Sequence, residues 1–292
     1  MSRRRADVTP VLTFIPLLGL AALCIVPLLW LIFAPTKTDA QIVADAPLSF
    51  GTLSGYADAW GNLLSFQDGI ILRWLWNSVW YSSAIVVGAV IVCLAAGYAL
   101  ATAPVPFRRT ILVVTLIGMI VPAAALVLPL FLEISALGLM NSPFAFILPS
   151  LFFPFGVYLA FLHFSGNIPP EILNAARIDG AGEWRVLWSV ALPLSKSLIG
   201  MLAFFSFVAS WVNFFLPFLV LNKSEAYPLS LGLQALMANT PALNPAAGGS
   251  FIPIHRPEVA LAGILAIVPV AIVFLFSQRY LARGILTGSI KD

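Results

Sequence analysis

Charge is so sparse in this sequence that the intervals between charged residues are its most informative feature. Charge-free runs cover residues 8–36, 74–107, 110–132, 134–170, 197–222, 226–255 and 259–278. A helix crossing the hydrocarbon core of a bilayer needs about 20 predominantly apolar residues, and six of these seven runs supply them. The exception, 226–255, carries Pro228, Pro241, Asn244, Pro245, Gly248, Gly249 and Pro253, which is turn and loop chemistry. Only 9% of residues are charged, against about 25% in soluble domains, too few to cover a water-facing surface. With 61% hydrophobic residues, a disordered chain is excluded as well.

The reading is therefore all-α: a polytopic membrane protein with six transmembrane helices. Backbone polar groups must be paired within lipid, which leaves helices or closed barrels, and a barrel would show alternating segments of about ten residues rather than long runs such as 82–102. The expected spans are 11–33, 77–101, 110–132, 144–164, 199–221 and 257–278. The domain plan is an N-terminus at 1–10, a first span at 11–33, an external loop at 34–76, a core of spans two to six at 77–278 and a C-terminal tail at 279–292. Six spans put both termini on one side. That side holds 11 Lys and Arg residues and the other 4 (Lys37, Arg73, Lys223 and Arg256), so both termini are expected in the cytoplasm. Arg3–Arg5 and Ala44–Ala46 resemble a secretory signal, but the apolar stretch exceeds the 7–15 residues of such a segment; the first span is expected to be retained.

The inner loop 165–198 is unusual for its charge, with three residues of each sign. It reads as two short helices. Pro169 and Pro170 suit a helix start, where a missing N–H costs nothing, and Glu171 complements the helix dipole. Ile172, Ala175 and Ala176 share a face, and Gly180 suits a left-handed C-terminal cap. A second helix follows, with Glu183 in its first turn and Trp184, Leu187, Trp188 and Ala191 expected as one apolar stripe. Pro193 ends or bends it. Such a loop is either an interfacial helix pair or a knob whose small Ala175 and Ala176 fit a groove on another protein.

Chemistry for catalysis is missing. No phosphate-binding G-x-x-x-x-G-K-[ST] loop, H-E-x-x-H, G-x-S-x-G or S-x-x-K motif occurs. His163 and His255 fall on opposite sides of the expected topology, His163 reading as an interface residue. Cys24 and Cys93 sit in apolar runs as small hydrophobes. The spans lack carboxylates for an ion relay, and Glu133 reads as a solvated helix end. A polar, uncharged cargo needs hydroxyls, amides and aromatics; Ser206, Ser210, Trp211 and Asn213 in the fifth span are the candidates for a substrate pathway. The small net charge of +3 gives no reason to invoke nucleic acid.

Residues 168–181 (IPPEILNAARIDGA), continuing to Leu192-Pro193-Leu194, resemble the EAA loop of bacterial ABC importer permeases. The chain is similar to permease subunits of the binding-protein-dependent carbohydrate importers, of the type related to the second maltose permease subunit. Asn77-Ser78-Val79, Ala95-Ala96-Gly97-Tyr98-Ala99, Gly138-Leu139-Met140-Asn141, and Arg279-Tyr280-Leu281 with Gly284 fit in the same order. The resemblance implies a type I ABC importer permease fold in the bacterial cytoplasmic membrane. It implies that the loop is a coupling helix docking on an ATPase, with Ala175, Ala176, Asp179, Gly180 and Ala181 matching position by position. Asn174 stands where the motif opens with an acidic residue, and Glu171 lies one turn earlier. Relatives often read Trp-Asn-Asp/Glu-Phe where this chain has Trp211-Val212-Asn213-Phe214. The implied partners are a second homologous permease, two ATPase subunits carrying ATP and Mg2+, an extracytoplasmic solute-binding protein that the outer loop 222–256 reaches, membrane lipid and a sugar; no cofactor is expected on this chain. An ABC permease for another solute, a stand-alone carrier and a membrane enzyme are the rival readings.

Overall fold

A computed structural model describes residues 9–238, 240–244 and 254–289. Among them there are helices and no strand. In chain order the helices are α1 (Thr9–Phe33), α2 (Asp39–Ala44), α3 (Ser54–Ser65), α4 (Ile70–Thr102), α5 (Arg108–Ile120), α6 (Val127–Ala136), α7 (Pro143–Ser150) and α8 (Pro154–Gly166). There follow α9 (Pro170–Ile178), α10 (Glu183–Val186), α11 (Leu192–Leu194), α12 (Lys196–Trp211), α13 (Phe215–Val220), α14 (Leu229–Ala238) and α15 (Arg256–Ser289).

Three of the six apolar stretches form continuous helices, α1, α4 and α15, and three are broken. Each break has a local cause. Val121 is extended ahead of Pro122 and ends α5, as the residue before proline favours. Phe153, at φ −124° and ψ 79°, precedes Pro154 and separates α7 from α8. Asn213 accepts the Leu216 N–H through its side-chain oxygen at 3.3 Å, restarting the chain as α13 beyond Trp211. By length and hydropathy, four stretches can each cross a membrane, Phe14–Thr36, Ser54–Thr102, Pro143–Gly166 and Arg256–Leu281. A fifth joins if α10–α11 and α12, bent by 85° at Pro193–Ser195, count as one.

Two of the expected connections between spans contain helices of their own. Residues 34–76 hold α2, α3 and the first turns of α4; the start of α2 is a capping box in which Thr38 and Gln41 satisfy each other's backbone N–H groups. Residues 222–256 hold α14, whose leucine-rich run was hidden among prolines and glycines. Pro245, Gly248, Gly249 and Pro253 lie outside the described residues, as do Arg3–Arg5 and Lys291. The expected tail is helical as far as Ser289.

The chain forms two compact units. The first runs to Ile70 and takes in Ala235–Ile267. Its α1 is apolar on all sides, with Phe14, Ile15 and Leu23 each more than half exposed, a surface only lipid or protein can cover. Polar ties hold the rest of this unit. Arg256 pairs with Asp39 at 2.9 Å and donates to the Ala242 carbonyl. The buried Glu258 carboxylate accepts from Asn62 Nδ2 at 2.7 Å and from the His255 N–H at 2.8 Å.

The second unit is Ile71–Gln234 with the chain from Val268. Here the Asn77-Ser78 pair explains itself. Asn77 Nδ2 donates to the Glu225 and Tyr227 carbonyls, and Ser78 Oγ accepts from the Leu229 N–H at 2.7 Å. Trp74 Nε1 and Tyr81 Oη donate to Ser224 and Ala226, so the segment 224–229 is stapled along α4. The Gly138–Asn141 turn does the same for α13: Asn141, at φ 60°, donates its N–H to Val220 and accepts from the Asn222 N–H.

Candidate functional site

Two features of the second unit bring the candidate site residues together: an elbow at α9–α10 and a cavity where the broken helices meet.

The elbow is a cap followed by a lock. At the end of α9, Gly180 N–H bonds to the Arg177 carbonyl and Ala181 N–H to the Ala176 carbonyl, both at 3.0 Å. This is a Schellman motif, which needs a left-handed residue at the glycine; Gly180 has φ +83°. The lock follows. Arg177 grips Glu183 with two parallel bonds, Nε to Oε1 at 2.7 Å and Nη2 to Oε2 at 3.1 Å. Its remaining Nη1 donates to Asn174 Oδ1 at 2.9 Å. The buried Tyr98 hydroxyl, on α4, donates to Glu183 Oε2 at 2.9 Å. Asn174 therefore supplies a neutral acceptor where the family motif opens with an acid, and Glu183 carries the charge that Arg177 requires.

Arg177's hydrogen bonds hold the Glu183 carboxyl below the usual carboxylate range, burial pulls the other way, and the Tyr98 bond adds to the lowering. The folded value is depressed, so the stabilisation is complete above the unfolded value of about 4.3 and is lost as pH falls through the folded value. Amide exchange in α9, corrected for intrinsic rates, is expected to stay flat from pH 8 to 5 and to rise only in more acidic buffer. Glu183→Gln should raise it at neutral pH and abolish the acid step. An acid step that persists in the variant assigns it to another group.

The elbow is packed as well as bonded. Leu173, Val186, Leu187 and Ala191 share a core with Leu94 and Tyr98 of α4, Phe164 of α8, and Leu198 and Leu202 of α12. The alanine pair is split. Ala176 and Ala181 lean on this core, while Ala175 faces outward with Glu171, Ile172, Asn174 and Asp179. Ile178 is 86% exposed on that outward face; sequence reasoning missed it because an isoleucine in an amphipathic helix reads as core. The apolar residues of the next helix divide. Leu187 and Ala191 are buried, but Trp184 and Trp188 are exposed and Val186 takes their place. A wide π turn runs from Leu187 to Ala191. His163 bridges the bend, its Nε2 3.1 Å from Ser195 Oγ and its Nδ1 3.2 Å from Asn167 Nδ2.

The cavity, of about 680 Å³, is lined at all three breaks: by Val121, by Ser150 and Phe152 to Pro154, and by Ser206, Ser210 and Asn213. Glu133, exposed in the last turn of α6, is also part of its wall. Three of the four expected pathway residues meet here. Trp211 does not: it is buried and stacks on Phe207 at 5.3 Å. Rods connect elbow and cavity. Ile85 in the cavity wall and Tyr98 in the lock lie on the same uninterrupted α4, separated by about 20 Å of helix rise. Leu198 and Ser210 are likewise joined along α12. No group of three or more His, Cys, Asp or Glu side chains able to hold a metal occurs among the described residues.

Comparison with known proteins gives the family. Residues 88–287 match the family model described as "Binding-protein-dependent transport system inner membrane component". The chain is 31% identical to the arabinooligosaccharides transport system permease protein of Halalkalibacterium halodurans, over 97% of this chain and 98% of that one. It is 29% identical to the diacetylchitobiose uptake system permease protein of Streptomyces coelicolor, over 93% and 85%. Its fold superposes, with a TM-score of 0.77 at 22% identity and covering 96% of this chain and 99% of the other, on a chain from a bacterial ABC transporter involved in the import of the acidic polysaccharide alginate. The elbow motif, the helical architecture and these relatives agree: the chain belongs to the family of binding-protein-dependent transport system inner membrane components, and is a membrane transport subunit rather than an enzyme.

Proposed function

We propose that this chain is one half of the translocation pathway of an ATP-driven importer for a sugar or sugar derivative. The pathway is completed by a second, homologous permease subunit. Two ATPase subunits, which carry the ATP and Mg2+, bind on the cytoplasmic side, and an extracytoplasmic binding protein delivers the cargo. The chain crosses the bilayer six times with both termini in the cytoplasm, α5–α6, α7–α8 and α12–α13 each making one broken crossing. The basic-residue asymmetry supports that orientation; the relatives for arabinooligosaccharides and diacetylchitobiose support a carbohydrate cargo.

The observation that carries this reading is the mechanical continuity of the elbow. Its outward face, with Glu171, Asn174, Ala175, Ile178, Asp179 and Gly180, is the surface offered to the ATPase. Its inward face is fixed by the Arg177–Glu183–Tyr98 lock and a shared core to α4 and α12, whose other portions line the cavity. When ATP closes the ATPase pair, the elbow moves as a rigid body and the rods tilt with it. ATP shifts the equilibrium only because its subunits bind it more tightly in one of the two states. Ser206, Ser210 and Asn213 offer hydroxyl and amide groups to the sugar.

The test uses the importer purified through this chain. Ala175→Trp, on the outward face, should release the ATPase and stop uptake while the permease pair remains intact. Retention of the ATPase together with normal uptake would refute the assignment.

A further inference from the structure

We propose that Glu133 sets the charge selectivity of the cavity, admitting neutral and amine-bearing sugars and disfavouring acidic ones. This rests on reading the cavity as part of the cargo pathway. Among the described residues lining it, Glu133 is the sole ionisable one, with no Lys, Arg or His beside it. Its carboxylate has no hydrogen-bond or salt-bridge partner among the described residues, so its charge is not spent on holding the fold.

The neutral lining points the same way. The Ser150, Ser206 and Ser210 hydroxyls donate to the carbonyls of Phe146, Leu202 and Phe207 at 2.7, 2.7 and 3.0 Å. A hydroxyl with its one proton committed can offer only lone pairs to a visitor. The three serines thus present acceptors, and Asn213, whose Oδ1 is taken by the Leu216 N–H, supplies the one neutral side-chain donor among the described lining residues. Sugar hydroxyls and ammonium groups can donate to the serines, whereas a carboxylate or phosphate has nothing to donate and meets Glu133 as a like charge. Helix ends of both signs reach the cavity, C-terminal at Val121 and Ser150 and N-terminal at Leu126 and Pro154. Their dipoles largely offset, leaving the carboxylate to fix the sign of the local potential.

A charge probe that bypasses the binding protein tests this directly. Cys24 and Cys93 are replaced by Ala, and Ala209, in the cavity wall, is replaced by Cys in the assembled importer. Its reaction rates with trimethylammonium-ethyl and sulfonatoethyl methanethiosulfonate are measured on this chain and normalised to a small free thiol. The cationic reagent should be favoured by roughly tenfold, the low end of what a charge-lined cleft provides, and Glu133→Gln should bring the ratio close to one. A ratio that Glu133→Gln leaves unchanged overturns the charge assignment while leaving the pathway reading in place. A reporter inert to both reagents, in the presence and absence of ATP, overturns the pathway reading and the inference with it.

Discussion

Gly180→Val is expected to cut sugar uptake by about tenfold while ATP hydrolysis by the importer continues. Gly180 sits at φ +83°, and a Cβ built there meets nothing within 4 Å. Crowding within this chain is therefore absent, and conformational strain is what the substitution imposes on the elbow itself. A β-branched residue in the left-handed region costs about 1–2 kcal/mol, and about 1.4 kcal/mol is a tenfold shift in population. The strain is relieved by unwinding the cap, which frees the Ala176 and Arg177 carbonyls and swings Glu183 away from Arg177. The elbow then still meets the ATPase through Ala175 and Ile178 but no longer drives α4. Gly180→Asn should keep most of the uptake, because asparagine enters this region readily. Equal losses in the Val and Asn variants would show that something other than backbone conformation matters at this position, and normal uptake in Gly180→Val would count against the coupling role altogether.

The elbow was legible in the sequence because local chemistry specifies it. Two prolines, an acid in the first turn and a glycine at the C-terminus fix α9 without reference to the rest of the chain. The continuity of the spans was less legible. A charge-free run records the solvent that surrounds a segment, and lipid accepts both a straight helix and one broken at Pro122, Pro154 or Asn213. The breaks were written in those residues, yet hydropathy, which measures only transfer, passes over them. The faces of short helices were the least legible. Trp184 and Trp188 are apolar like Leu187 and Ala191, and only the partners that pack against α10 and the π turn after it decide which pair is buried. Glu133 belongs to the same class: its own neighbours in sequence describe a helix end, and its place in the cavity wall comes from α8 and α12, far away along the chain. The same holds for Glu183, whose role as acceptor for Arg177 depends on the turn that Gly180 makes possible.

Gly97→Leu is expected to prevent assembly of the importer, and the reason lies in how closely α4 and α8 cross. A Cβ at position 97 would collide with the Ala160 Cβ and lie 2.8 Å from the Ala160 carbonyl carbon and the Phe161 nitrogen. The two backbones are in direct contact, with Ala160 fully buried between them, the kind of approach that small residues allow between membrane helices. A leucine must push the helices apart, at a cost of about 1–3 kcal/mol or more. The adjoining Tyr98 would then lose both its edge contact with Phe164, at 5.5 Å, and its bond to Glu183. Gly97→Ala gives the sharper test, because two effects of opposite sign compete. Alanine favours a helix over glycine by up to about 1 kcal/mol, so in open space it would stabilise. Here the collision should win, and the purified importer should melt at a lower temperature. Ala160→Gly, introduced alongside, removes the opposing Cβ but not the backbone, so it should recover part of the loss in Gly97→Ala and none in Gly97→Leu. A Gly97→Ala variant that melts higher than the parent would mean that α4 and α8 are not in backbone contact, and that Tyr98 is not held by that crossing.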